Sequence, residues 1–180
     1  DIAWSTDQHL GDQDLLETAL VMGEQMVMTP AFWGAEPSYA DTGQFNGIRL
    51  FQDEERAGLV LMQSLSADQQ KRAIVAHSMM GGDLPEGRRH FADNLHFGGA
   101  FQDNRVVPYE GLRAGDLSKT QQRDLTDLVK KYLSPLPKGP MEARLAEFER
   151  HMSDTHFCWI GGTAEDSPFY YRVQSPVTFI

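Results

Sequence analysis

Two apolar stretches near the start of the chain are separated by a turn signal. Residues 15–22 and 25–33 are mostly apolar, and a Gly-Glu dipeptide lies between them. A two-residue loop with glycine first is typical of a type II′ hairpin turn. Pro30 lacks an amide donor, so its strand is expected to lie at a sheet edge or to bulge there. The pattern predicts an N-terminal β-hairpin, followed by a glycine-rich polar loop over residues 34–50.

Helical spacing of apolar residues dominates the middle of the chain. It predicts four helices in order: one from near Asp53 with apolar positions as far as Leu65, one over 67–77, one from a cap at Ser118 to Leu133, and one over 141–152. Three prolines separate the last two helices.

The second and third helices begin with the same pattern, Leu-Ser-x-x-Gln-Gln, at residues 65–70 and 117–122. In each copy a serine is followed three residues later by a glutamine, which is the pattern of a capping box. The copies are 52 residues apart. Good helix starts resemble one another, and a weak internal duplication of a helical unit would give the same pattern. Both interpretations are open.

Strand patterns return near the end of the chain. Residues 157–160 form a short apolar run that ends at a glycine pair, and residues 169–174 alternate between two faces. The order of strand hairpin, helices and strands favours an α+β fold over alternating α/β. We expect one domain over residues 1–180, with an antiparallel sheet from the N-terminal hairpin and the C-terminal strands and about four helices between them.

Composition supports a single core and argues against several classes of protein. The chain has 180 residues, 41% of them hydrophobic, which is enough to bury a core. Cys158 is the single cysteine, so neither an internal disulfide nor a thiolate-rich zinc site is expected. The net charge of −10 argues against nucleic acid or an anionic membrane as partner. No apolar run approaches the roughly 20 residues of a membrane helix.

The negative charge is concentrated in the first third of the chain, since residues 1–60 carry eleven acidic residues and two arginines. Such an acidic surface serves solubility or, where its oxygens converge, cation binding. The chain begins at Asp1 without a methionine or a targeting pattern, and it ends at Ile180 within an apolar run. We therefore expect the sequence to be part of a longer chain, whose compartment is not predictable from this piece.

A candidate divalent-metal site lies in the acidic first third. His9 precedes Asp12 and Asp14, and an imidazole with carboxylates is a common ligand set. A solvated acidic turn that contains a histidine has the same composition. The pattern therefore offers a metal site and a plain surface turn as alternatives.

Polar residues near the C-terminus provide further candidates. His151 and His156, with Asp154 between them, could share a metal only if the fourth helix ends between the histidines; the alternative is an imidazole near the helix C-terminus. Arg172 beside Tyr170 could hold a carboxylate or phosphate through two hydrogen bonds. The arginine could equally pair with one of the acidic residues of the chain.

Residues 80–116 show little periodicity and contain many glycines and prolines. A loop of this length inside a compact domain is usually functional or flexible. It contains His96 and Arg105 among other polar residues, so it is a candidate lid or pocket wall. Polar residues are also normal in a surface loop.

Four segments stand out as a set. They are MTPAFWGAEP at residues 28–37, QDNR at 102–105, WIGG at 159–162 and PFYYRVQSP at 168–176. Together they resemble an uncharacterised family, domain-of-unknown-function family 3500, and the resemblance covers essentially the whole chain. It implies a longer protein with a further region before Asp1 and a His-x-His tail after Ile180. It implies no established activity.

These observations favour a metal-assisted enzyme that acts on an anionic small molecule. A divalent ion would polarise a substrate oxygen or activate water. The residues assigned are His9, Arg172 and His156 for catalysis, Tyr170, Arg105 and His96 for the substrate, and His9, Asp12 and Asp14 for the metal. The alternative is a non-catalytic binding or scaffold protein, in which aromatic residues serve the core and a homo-oligomer interface.

Overall fold

The computed structural model describes residues 2–9, 13–22, 25–35, 38–78 and 106–180, with side chains for the last two ranges. Within these residues the order is three strands, two helices, two short strands, two helices and two strands. This order is an α+β arrangement, as the sequence predicts. None of the described helices is both long and apolar enough to cross a lipid bilayer.

The first three strands form an antiparallel sheet of their own, with the second strand in the centre. They are β1 (Ile2–His9), β2 (Gln13–Met22) and β3 (Gln25–Ala35). The register of β2 with β3 shifts between Glu17 and Ala19, where β3 carries an extra residue next to Pro30. Such a bulge leaves room for a residue without an amide donor. The turn expected at residues 23–24 lies outside the described residues.

In the part of the chain that the structure describes, four α-helices form where four are predicted, and two of them have shifted ends. They are α1 (Gln52–Ser64), α2 (Ala67–Ala73), α3 (Lys119–Tyr132) and α4 (Lys138–Arg150). The prediction that α2 reaches residue 77 is wrong, because the β-branched Ile74 and Val75 continue directly into a strand. Helix α4 begins three residues early, since Pro140 fits its first turn, where backbone amides have no helical acceptor.

Both predicted capping boxes form. The Ser66 hydroxyl accepts from the Gln69 amide at 3.3 Å, and the Ser66 amide donates to Gln69 Oε1 at 2.9 Å. Ser118 and Gln121 make the same two hydrogen bonds at 3.3 Å and 2.9 Å. Each serine and glutamine pair satisfies amides that the first helical turn leaves without acceptors. The repeated pattern therefore fixes the starts of α2 and α3.

The second sheet has β6 at its centre. Its strands are β4 (Ile74–Ala76), β5 (Leu112–Arg113), β6 (His156–Gly161) and β7 (Phe169–Gln174). Strands β5 and β7 are antiparallel to β6, whereas β4 is parallel to it. The sheet is thus mixed, whereas the sequence predicted an antiparallel sheet. A parallel pair requires a long crossover, and α3 and α4 lie on the connection from β4 to β6.

The expected single layer of N-terminal and C-terminal strands is wrong, because the described strands pair in two separate sheets. Strand β6 already has a neighbour on each side. On β7, Val173 and Ile180 exchange both backbone hydrogen bonds, at 2.9 Å and 3.0 Å. The last residues therefore occupy part of the outer edge of β7, where a further strand would otherwise pair.

The core lies between the helices and one face of the second sheet. Leu61, Leu125 and Phe148 from the helices are fully buried there, together with Phe157 and Trp159 from β6. Alternate residues of a strand point to opposite faces. Cys158, which lies between these two aromatic residues on β6, therefore faces away from the helices.

Candidate functional site

One end of the sheet face that points away from the helices is polar, whereas Ile160 and Tyr170 pair at its other end. The polar end carries His156 and Cys158 from β6 and Arg172 and Gln174 from β7. Cys158 is opposite Arg172 in the strand register, and His156 is opposite Gln174. Residues paired in this way share a face. We call these four residues the polar face, and they form the candidate site.

A strap, residues 106–111, crosses the polar face without forming a helix or a strand. Gln174 Nε2 donates to the Val107 carbonyl at 2.9 Å. Arg172 Nη2 donates to the Pro108 carbonyl at 3.1 Å. Side chains of the sheet thus satisfy backbone groups of the strap that have no strand partner.

Arg172 pairs with a carboxylate of the strap. The residue is 1% exposed, and its Nη2 lies 3.2 Å from Oε2 of Glu110, whose side chain is 18% exposed. The guanidinium carbon also lies 5.8 Å from the centre of the Phe179 ring, a cation–π distance. Removing a charge from water costs several kcal/mol unless a partner compensates it. The sequence left two roles open for Arg172, namely holding an anionic ligand or pairing with an acidic residue of the chain. The structure contains the ion pair, with Glu110 as the partner.

Gln174 has a buried acceptor that no described residue satisfies. Its amide orientation follows from chemistry, because the Val107 carbonyl can only accept and must face Nε2. Oε1 is buried and has no hydrogen-bond partner among the residues that the structure describes. The strand pattern puts Gln174 on this face, but nothing in the sequence marks it as functional.

Gly111 allows the strap to lie directly on β6. Its φ is +86°, and a Cβ atom at this position would lie 2.3 Å from the Phe157 carbonyl oxygen and 2.7 Å from Cys158 Cβ. Only glycine combines that backbone conformation with so close an approach. The sequence shows a glycine-rich loop here, but it does not indicate which glycine has this role.

The histidines near the end of α4 contact other groups in the described part of the chain. His156 Nδ1 lies 3.2 Å from the backbone carbonyl of Asp154, and the ring centre lies 5.2 Å from that of Tyr109. His151 is the C-cap of α4, where the helix dipole favours a cation. Among the side chains that the structure describes, no group of three or more His, Cys, Asp or Glu residues could hold a metal ion. The described side chains around His151 and His156 therefore do not supply three ligands for the shared metal that the sequence left open.

The other predicted site residues are described in part. Tyr170 packs against a small cluster of Ala76 and Ile160. The backbones of His9 and Asp14 are opposite each other in the pairing of β1 with β2. Three predicted residues lie outside the described ranges: Asp12, His96 and Arg105. The three predicted site residues on β6 and β7, which are His156, Tyr170 and Arg172, thus lie on one face of the second sheet.

A shallow cleft of about 390 Å³ lies between α4 and residues 175–179. On its wall, Arg144 Nη2 donates to the Val177 carbonyl at 2.8 Å, and Nη1 pairs with a glutamate of the same helix. Phe179 lines this cleft and also lies against Arg172. The cleft and the polar face therefore share one aromatic ring.

A comparison with known families covers most of the chain. The profile of the family described as "Protein of unknown function (DUF3500)" matches residues 14–180. The chain belongs to the DUF3500 family. The resemblance of the four sequence segments is thereby confirmed, and the match includes the polar face, the strap and the cleft of this DUF3500 chain. No curated protein and no solved structure gives a significant match.

Proposed function

We propose that this DUF3500 protein binds an anionic small molecule at the polar face and acts on it as a metal-assisted enzyme. The observation that carries the proposal is the guanidinium of Arg172, which is buried on that face and paired with Glu110 of the strap. A guanidinium presents a planar fork of donors that matches a carboxylate or a phosphate. Under this proposal, Glu110 occupies the anion position while no ligand is bound.

The position of Glu110 supports such an exchange. The carboxylate belongs to a strap that side-chain hydrogen bonds attach to the sheet, whereas strand pairing begins only at Leu112. An external anion can therefore replace Glu110 without breaking a strand ladder. Because the internal carboxylate competes for Arg172, the apparent affinity for the anion is lowered by the fraction of protein in the paired state.

The proposal assigns roles around the bound anion. Arg172 holds the anionic group, and His156 on the same face is the acid–base group, a role for which imidazole is suited near neutral pH. Three residues contact the remainder of the substrate: Tyr170, Arg105 and His96. Two of these three substrate residues, Arg105 and His96, precede the strap in the sequence.

The metal-assisted step requires a divalent ion, for which the proposed ligands are His9, Asp12 and Asp14. The antiparallel register that sets His9 opposite Asp14 supports this ligand set. When bound, the ion would polarise a substrate oxygen or activate water.

Anion titrations of the full chain test the binding step. Inorganic phosphate and acetate are added while NMR shifts and thermal unfolding are followed. We expect both anions to bind, and we expect Glu110→Gln to bind them about tenfold more tightly because the competing carboxylate is gone. Glu142→Gln, in an exposed pair with Lys138, is the matched control and should bind like wild type. If neither anion binds wild type or Glu110→Gln, the proposal is overturned.

Metal content tests the enzymatic step. The protein is incubated with zinc, manganese, iron or copper, freed of excess metal and analysed for bound ion. We expect about one equivalent per chain for at least one metal, and loss of it in His9→Ala but not in His77→Ala, a variant of an exposed histidine. Near-zero stoichiometry for all four metals would remove the metal-assisted step and leave anion binding in place.

A non-catalytic binding or scaffold protein is the second candidate. The observation that favours it is the double attachment of Arg172 to the strap, through the Pro108 carbonyl and through Glu110. In this case Arg172 fastens the strap and has no ligand. Glu110→Gln would then lower the free energy of unfolding without producing any anion binding.

A further inference from the structure

The buried amide oxygen of Gln174 indicates which functional groups a ligand at the polar face would carry. We infer that this ligand carries a hydrogen-bond donor on the carbon next to its carboxylate, as 2-hydroxy acids and 2-amino acids do. The inference rests on the proposed anion site at Arg172. It assigns recognition of the hydroxyl or ammonium group to Gln174.

Gln174 offers a buried acceptor to a ligand. The residue is 7% exposed, and its Nε2 is engaged with the Val107 carbonyl at 2.9 Å. Its Oε1 is buried without a partner among the described residues. Buried polar atoms in folded proteins are nearly always hydrogen-bonded. A ligand that brings an N–H or O–H group supplies the missing donor.

Arg172 and Gln174 are consecutive residues on the same face of β7. Such positions are about 7 Å apart along a strand. A small molecule with two functional groups on adjacent carbons can accept from the guanidinium at one end and donate to the amide at the other, through hydrogen bonds of about 2.9 Å. A simple monocarboxylate satisfies only the guanidinium.

The strap covers both recognition groups at once. It contacts Gln174 through Val107 and Arg172 through Pro108. Its outer side faces solvent, since Val106 is 89% exposed. The two ends of the ligand are therefore recognised beneath one short cover. Under this inference the strap opens to admit the ligand, and its hydrogen bonds to Gln174 and Arg172 then re-form over the bound molecule.

A matched series of acetate, glycolate and glycine tests the inference on the full chain. The three molecules share a carboxylate and differ in the group on the adjacent carbon. We expect glycolate and glycine to bind about three- to tenfold more tightly than acetate, the gain typical of one hydrogen bond to a buried acceptor. In Gln174→Leu this preference should disappear, so that acetate, glycolate and glycine bind with affinities within about twofold of one another.

The outcomes separate this inference from the proposed function. Equal affinities of wild type for all three molecules would overturn the role of Gln174 and leave the anion site intact. Failure of all three to bind would overturn the anion site together with the inference. The comparison within wild type needs no variant, so it is decisive even if Gln174→Leu does not fold.

Discussion

The side-chain amides of Gln69 and Gln121 hydrogen-bond to each other in both directions. Each Nε2 lies 3.2 Å from Oε1 of the other glutamine. Each amide also donates to a backbone carbonyl ahead of the opposite helix, Gln69 to Asp116 at 3.1 Å and Gln121 to Ser64 at 2.9 Å. The two contacts are equivalent, because Gln69 and Gln121 are 52 residues apart, as are their acceptors Ser64 and Asp116. The starts of α2 and α3 are thus related by a local two-fold pseudo-symmetry.

The pseudo-symmetry includes the next residue of each segment. Gln70 donates to the Met62 carbonyl at 3.2 Å, and Gln122 donates to the Ala114 carbonyl at 2.9 Å. A capping box is satisfied within its own helix, so similar helix starts alone do not require these equivalent contacts. The symmetry favours the interpretation of the repeated Leu-Ser-x-x-Gln-Gln pattern as an internal duplication.

Replacing either glutamine of the reciprocal pair should destabilise the fold, and the two effects should be coupled. Gln69→Ala or Gln121→Ala removes one capping box and the mutual bond, so we expect a loss of about 1–2 kcal/mol in the free energy of unfolding. The double variant should lose about 0.5–1.5 kcal/mol less than the sum, because the mutual bond is lost only once. Urea unfolding of the four proteins measures the coupling.

The control for this cycle is Gln52→Ala, which changes an exposed glutamine at the start of α1. Its effect should stay within about 0.5 kcal/mol. Strictly additive losses in the double variant would show that the two amides do not stabilise each other.

The sequence predicts the parts of this fold that depend on local signals. Ser66 and Gln69 are three residues apart and determine a helix start by themselves. The alternation along β7 determines which of its side chains reach the core. The end of α2 depends on a distant partner, because Ile74 pairs with Trp159. No pattern near α2 indicates that pairing, which explains the wrong helix end.

The candidate site depends almost entirely on contacts between distant residues. The position of Arg172 directly after two tyrosines marks it as a candidate, but its partner Glu110 belongs to a loop in which polar residues are common. Gln174 and Gly111 acquire their roles only because the strap crosses the sheet at their positions. The division of the strands into two sheets likewise depends on which strands pair with each other. The pattern of polar and apolar residues in a single strand does not specify its pairing partner.

Two partly buried tyrosines, Tyr132 and Tyr171, should respond differently to removal of their hydroxyl groups. Tyr171 donates to the Glu54 carbonyl at 3.0 Å and lies 2.6 Å from the hydroxyl of Tyr132. Tyr171 has one hydroxyl hydrogen, so Tyr132 is the donor between them. Tyr171→Phe removes both bonds and should cost about 2–3 kcal/mol, whereas Tyr132→Phe removes one and should cost about 0.5–1.5 kcal/mol. Chemical unfolding of both variants measures this difference, and equal costs would contradict the assigned direction.

The same pair should make the protein less stable in alkali. Burial raises the pKa of Tyr132 from its ordinary value of 10 to about 12, and burial followed by the neighbouring Tyr132 raises the pKa of Tyr171 as well. Below pH 10 both tyrosines are protonated in the folded and unfolded states, and their contribution to stability is complete. As the pH rises from 10 towards 12, the unfolded chain loses these protons first. The free energy of unfolding should therefore fall by up to about 1.4 kcal/mol per pH unit for each tyrosine.

Urea unfolding between pH 8 and pH 11 measures this alkaline loss of stability. The comparison with Tyr132→Phe isolates the contribution of the pair from that of other groups that titrate in this range. We expect a shallower decline in the variant, because one raised pKa is absent. Identical slopes in the variant and wild type would show that Tyr132 ionises alike in both states.

Substitutions of Gly111 and Gly139 test whether the strap depends on its close approach to β6. Gly139 serves as the matched control. Gly111→Ala places a Cβ atom 2.3 Å from the Phe157 carbonyl oxygen at a φ of +86°, so we expect a loss of more than about 2 kcal/mol. Gly139 lies in α4 with open space at its Cβ position, and Gly139→Ala should stabilise by about 0.5–1 kcal/mol. Thermal and urea unfolding compare the two variants. Since Gly111 lies next to Glu110, Gly111→Ala should also increase hydrogen exchange of the strap amides, and an unchanged exchange pattern would show that the strap does not depend on this close approach to β6.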